Sequence, residues 1–216
     1  MDFHYFLEIV PHIIKAELPA TVAHAKMAPF ERMEELKNID FEAKKTKTAA
    51  VMMLLYPKAG LTHLVLIVRN LYEGVHSGQI AFPGGKFEAE DGVFAQTALR
   101  ETHEEVGVPP DFIEIKKDFS PIYIPPSNFL VYPFMGISTN EIAFVPDPSE
   151  VDRVIELPLS VFLSEEIIVK VRLTTSYATD IEVPAFEIEG QMVWGATAMM
   201  LSELKEVLKD VMRLSR

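Results

Sequence analysis

The chain has 216 residues, 49% hydrophobic and 24% charged, enough to bury a sizeable core in one domain, or in one domain with an extension, and too apolar for a disordered chain. Its net charge of −12 argues against a general nucleic-acid or anionic-membrane surface, which basic patches would serve, but leaves open a small phosphorylated substrate whose charge divalent cations shield. The absence of cysteine excludes disulfides, thiolate metal sites and a cysteine nucleophile, and with no secretory leader at Met1-Asp2-Phe3-His4-Tyr5 and no membrane-spanning apolar run, a cytoplasmic protein is expected.

Residues 1–45 read as a helical extension. Phe6, Ile9, Val10, Ile13 and Ile14 recur at helical spacing, Pro19 interrupts, and residues 30–36 resume the pattern. Such an arm packs on the domain that follows or engages a partner, a second copy in a homodimer included. Residues 46–216 are expected to form that domain. Ala49-x-Val51-x-Met53-x-Leu55 and Leu64-x-Leu66-x-Val68 are strand-prone runs joined by a turn at Pro57-Lys58-Ala59-Gly60, and further strands are expected over 119–124, 129–137, 167–174 and 181–188. A helix is expected over 92–106, with Asp91 as N-cap and Gly107 just past its end. A second helix begins near Ala196 and carries Leu201, Leu204, Leu208 and Val211 on one stripe. Strands mixed with a few helices imply an α+β layered domain.

On the first of these helices Ala95, Ala98, Leu99, Thr102 and Val106 share an apolar arc, and Glu101, Glu104 and Glu105 project from the adjacent one. Three like charges on one arc invite either full solvation or a cation. The glycine-rich Phe82-Pro83-Gly84-Gly85-Lys86 ahead of the helix favours the cation, because glycines let backbone approach a ligand and carboxylate oxygens suit Mg²⁺.

With its glycines, an acidic residue and then Arg100-Glu101-Thr102-x-Glu104-Glu105-x-Gly107, the segment resembles the Nudix box. Thr102 stands where that motif prefers an aliphatic residue. The interval from Gly85 to Arg100 is one residue longer than the general pattern, and the acidic residue is Asp91. The insertion, with Arg69 and His76-x-Gly78-Gln79-x-Ala81-Phe82-Pro83-Gly84-Gly85 upstream, is similar to the coenzyme A pyrophosphatase branch. Val145-Pro146-x-Pro148-x-Glu150-Val151, Glu156-x-Pro158-Leu159 and Trp194-Gly195-Ala196-Thr197-Ala198 match downstream. Gly74, where many relatives carry arginine, and Ser127-Asn128 depart from the branch.

The resemblance implies a Nudix fold, an α/β/α sandwich with a mixed central sheet and a loop-helix bearing the box. It also implies hydrolysis of the diphosphate bond of coenzyme A or an acyl-coenzyme A to 3′,5′-ADP and 4′-phosphopantetheine. Glu101, Glu104 and Glu105 would hold Mg²⁺ or Mn²⁺, with the Gly85 carbonyl as a further ligand and Arg100 orienting the first glutamate. Arg69, His76, Lys86 and Gln79 would contact the substrate, and Glu150 would serve as general base or else cap a helical turn. Arg69 would otherwise pair with an acidic neighbour. The partner expected is a small molecule, with neither nucleic acid nor membrane. Alternatives are hydrolysis of another nucleoside diphosphate derivative, such as ADP-ribose or NADH, and a non-catalytic nucleotide-binding module.

Overall fold

A computed structural model describes residues 1–28, 45–70, 78–173 and 180–214. The sheet forms around β1 (Lys47–Lys58), whose unbroken run Ala49 to Tyr56 suits a strand covered on both faces. It turns into the antiparallel β2 (Leu61–Arg69) through Ala59 and Gly60, at φ +48° and +73°. A two-residue turn with both φ values positive matches the twist of a hairpin.

β3 (Ile80–Ala81) adds to β2, and β4 (Gly84–Lys86) pairs with the start of β1, Val51 opposite Gly84 and Ala50 opposite Gly85. One side of β1 therefore changes partner along its length, from β4 to β2, and the strands separate between them. β7 (Phe129–Ile137) runs parallel to β1 along one edge and pairs in succession with β6 (Ile122–Ile124) and β5 (Glu114–Asp118) along the other, while β8 (Val151–Pro158) lies antiparallel on β2. The sheet is mixed, as expected.

Strand alternation sorts the side chains into two layers. Ala50, Met52 and Leu54 join Val65 and Ile67 in one apolar cluster with Ala98, Leu99 and Val106 of the box helix. Met53, Leu55, Leu64 and Leu66 face the opposite way, against the N-terminal helix α1 (Phe3–Lys15) and the C-terminal helix, through Leu201, Leu204, Leu208 and Val211. The result is the α/β/α sandwich. A separate antiparallel sheet comprises β9 (Ile168–Leu173), β10 (Ile181–Ile188) and β11 (Gln191–Val193).

The expected first helix of the extension is present. Phe6, Ile9, Val10 and Ile13 are buried, Ile14 is exposed, and Asp2 accepts the Tyr5 amide as cap. After Pro19 comes α2 (Ala20–Ala25). Its docking depends on buried Glu203 of the C-terminal helix, which accepts the Ala20 amide at 2.9 Å and the Ser120 hydroxyl at 2.7 Å and faces His24 Nε2 at 3.4 Å. The helix expected over 30–36 lies outside the described residues. The strand expected over 119–124 begins only at Ile122, because the Ser120 amide is diverted to Glu203 and Pro121 has no N–H to give. Among the described residues no helix is long and apolar enough to cross a membrane.

Candidate active site

The box helix is α3 (Phe94–Val106). Phe94 anchors its first turn by stacking on Tyr132 of β7, with centroids 4.0 Å apart, and Gly107 ends it in the left-handed region at φ +74°. Asp91 is not the N-cap. Val93 holds that position without a side-chain cap, and Asp91 closes a 3-10 turn over Ala89–Asp91. Its carboxylate is taken elsewhere, by Arg100 Nε at 2.8 Å, Arg100 Nη2 at 3.1 Å and the Thr97 hydroxyl at 2.8 Å. The two-point contact with Arg100 holds the Asp91 carboxyl well below the usual carboxylate range.

Arg100 donates onward from Nη1 to Glu101 at 3.0 Å and to Glu104 at 2.9 Å, and from Nη2 to the Lys86 carbonyl at 3.0 Å. One guanidinium thus ties the glycine-rich segment, the 3-10 turn and two box glutamates together. Thr102, the polar substitute in the motif, is fully buried and satisfies its hydroxyl on the Ala98 carbonyl at 2.6 Å.

The three glutamates do not share one environment. Glu104 is 56% exposed, Glu101 14%, and Glu105 only 2%. Helical spacing alone would have placed Glu105 on a polar face. It is admitted to the interior because Gly84 N–H donates to Oε2 at 2.8 Å and Arg69 Nη1 to Oε1 at 3.2 Å. Burial nevertheless dominates over those two contacts, and with the charges of Glu101 and Glu150 it pushes the Glu105 carboxyl up to about 7. Burial also raises Glu101, against the opposing pull of Arg100.

A side chain at either glycine would meet an obstacle, backbone at Gly84 and a carboxylate at Gly85. Gly84 sits at φ +151°, and a Cβ there would fall 2.3 Å from the Ala50 carbonyl oxygen. A Cβ on Gly85 would fall 2.5 Å from the Glu101 carboxylate, so that carboxylate rests directly on the glycine.

Arg69 ends β2 at a register shift against β8, its amide bound to the Gln79 carbonyl at 3.0 Å. Gln79 is half-buried beside it, and Lys86 is exposed, with its carbonyl held by Arg100. His76 and Gly74 lie outside the described residues. Glu150 does not cap a turn. That role falls to Asp147, whose carboxylate accepts the Ser149 amide and hydroxyl, each at 2.7 Å. Glu150 is exposed, its carbonyl bound by the Asn70 amide at 3.0 Å, and its charge is felt at both Glu101 and Glu105. Asp147 and the Gly84 amide are the contributors that sequence reasoning missed. Asp147-x-Ser149 is a short-range turn signal that could have revealed the first.

Among the described residues no three Asp, Glu or His side chains already converge as a metal cluster, and the carboxylates of Glu101, Glu104 and Glu105 are engaged by Arg100 and Arg69. The donor set still fits a hard divalent cation. It consists of carboxylate oxygens whose mutual repulsion a cation would relieve, beside a glycine that leaves room for close approach. A separate cavity of about 450 Å³, lined by Tyr56, Lys58, Phe144, Arg153 and Glu156 among others, shares no residue with the box.

A layered sheet with a glycine-backed carboxylate helix on one face defines a class of hydrolase, and the comparisons place the chain within it. A model of the NUDIX domain matches residues 45–171, and the chain belongs to the Nudix family. It is 33% identical over 154 residues to the uncharacterized Nudix hydrolase NudL of Pectobacterium atrosepticum, covering 68% of this chain and 76% of that one. It is 34% identical over 125 residues to the mitochondrial Nudix hydrolase 15 of Arabidopsis thaliana, a match over 56% of this chain and 44% of the plant protein. Among solved structures, the Nudix hydrolase RenU of M. smegmatis aligns over 76% of this chain and 87% of its own, with a TM-score of 0.53 at 15% identity, a likeness of fold alone. The protein is a Nudix hydrolase, of a family that acts on small nucleoside diphosphate derivatives and generally uses divalent ions such as Mg²⁺ or Mn²⁺.

Proposed function

We propose that the protein hydrolyses the diphosphate bond of coenzyme A, and of acyl-coenzyme A as a related substrate, to 3′,5′-ADP and 4′-phosphopantetheine. The chemistry rests on one observation, the buried Glu105 held between the Gly84 amide and Arg69 beside Glu101. The choice of substrate rests on sequence, on the lengthened interval between Gly85 and Arg100 and on Arg69, Gln79 and the residues leading to Gly85.

Glu105 and Glu101 would hold Mg²⁺ or Mn²⁺, with the half-exposed Glu104 and the Gly85 carbonyl completing the set. The bound ion would supply neutralisation of the diphosphate charge and acidification of water. Arg100, fixed by Asp91, keeps Glu101 and Glu104 in place. Glu150 is the base that takes a proton from water as its oxygen attacks phosphorus and the bridging P–O bond breaks. Lys86, Arg69 and Gln79 would contact the phosphates, and the resemblance adds His76 to that set.

The test is a panel of coenzyme A, ADP-ribose and NADH with Mg²⁺, read by product identity. Coenzyme A should yield 3′,5′-ADP about tenfold or more faster, by kcat/KM, than the others are cleaved. A preference of that size for ADP-ribose or NADH would overturn the substrate, and nucleotide binding without any hydrolysis would indicate a non-catalytic module.

A further inference from the structure

Arg69 is held by little. Its side chain is 25% exposed, and among the described residues Nη1 is the only nitrogen of its guanidinium with an acceptor, Glu105 Oε1 at 3.2 Å. Nη2 and Nε have no acceptor among those residues. The strand carrying it shifts register against β8 between Val68 and Arg69, an irregularity of the kind that re-aims a side chain at a site. The other oxygen of Glu105 is fixed by the Gly84 amide, so the oxygen that Arg69 covers is the one open to exchange.

We propose that Arg69 is an exchangeable counter-ion, bound to Glu105 until a divalent cation takes that carboxylate, and then turned to the substrate's diphosphate. This rests on the metal-dependent diphosphatase reading above. A cation and a guanidinium on one carboxylate oxygen repel each other, and the separation is made good when the planar guanidinium finds phosphoryl oxygens, which it can bridge with two N–H donors. Cation and substrate then bind cooperatively. Arg69 weakens cation binding to the free protein, and a diphosphate that draws Arg69 away restores it, with the reverse coupling required by linkage.

Calorimetry of Mg²⁺ binding, with and without the non-hydrolysable α,β-methylene-ADP, tests the exchange without turnover. Arg69→Gln should bind Mg²⁺ alone roughly fivefold or more tightly than the wild type, bind the analogue more weakly, and lose most of the coupling between them. Arg69→Lys retains the charge without the planar fork, and should leave Mg²⁺ affinity near wild type while still weakening the analogue. Unchanged or weaker Mg²⁺ binding by a folded Arg69→Gln, with wild-type Mg²⁺ binding abolished by Glu105→Gln, would overturn the exchange alone. Mg²⁺ binding untouched by Glu105→Gln would overturn the metal-site reading and the exchange with it.

Discussion

A methyl group added to Gly85 or to Gly84 should produce opposite failures. A Cβ on Gly85 stands 2.5 Å from Cδ and both oxygens of Glu101, where ordinary contact begins near 3.4 Å, so the carboxylate must retreat by about 0.9 Å. A displacement of that order in a catalytic group costs roughly 100-fold in rate. Gly85 does not have a positive φ, so Gly85→Ala should keep its melting temperature within a few degrees of wild type. At Gly84 the obstacle is backbone, Ala50 O at 2.3 Å and Val51 Cα at 2.6 Å, at φ +151°. Gly84→Ala should lose about 3 kcal/mol of stability, a fall of roughly 6–12 °C for a chain of this size. Steady-state coenzyme A hydrolysis with Mg²⁺ and scanning calorimetry on both variants provide the comparison. A Gly85→Ala protein that melts normally and turns over within about twofold of wild type would refute the placement of Glu101 against that glycine.

Asp91→Asn should lower kcat by roughly 10- to 100-fold with little change in KM, since it loosens Arg100 and through it Glu101 and Glu104; steady-state kinetics would show it, and an unchanged kcat would remove Asp91 from the site. Glu150→Gln should lower kcat by about 100-fold or more if Glu150 takes the proton, with Mg²⁺ affinity nearly retained; equal loss of both would make it a ligand instead. Burial raises the Glu203 carboxyl, but nearby His24 and the hydrogen bonds from Ser120 outweigh it and leave the group below its ordinary 4.5. The unfolded chain therefore takes up that proton first as pH falls. The stabilisation is complete above about pH 4.5 and fades below it. Glu203→Gln should lose about 2 kcal/mol at neutral pH and show a shallower fall in melting temperature on acidification, and an unchanged melting temperature at pH 7 would count against the buried network.

Most of the long strands were legible because their apolar content decides them, but β8, Val151–Pro158, was not expected, since Asp152, Arg153 and Glu156 break its apolar run. The expected 129–137 and 181–188 runs coincide with β7 and β10. β3, β4 and β11 were not, since two or three residues carry no period, and β5, Glu-Ile-Lys-Lys-Asp, is too polar to read as a strand. The residue types of the site were legible, but their contacts were less so. Asp91 resembles a helix cap until Arg100, nine residues later, claims its carboxylate. The depth of Glu105 follows from an amide and a guanidinium on other strands, which no local pattern encodes. The alternative role weighed for Arg69, pairing with an acid, is the contact present, and its exposure leaves room for the phosphate role as well.

Glu105→Gln tests the metal-dependent reading most directly, because it removes the charge while keeping the size of the most deeply buried box glutamate. Measured with coenzyme A and saturating Mg²⁺, release of 3′,5′-ADP should fall at least about 100-fold, with the fold retained. Turnover within about a factor of two of wild type would contradict the assigned metal site.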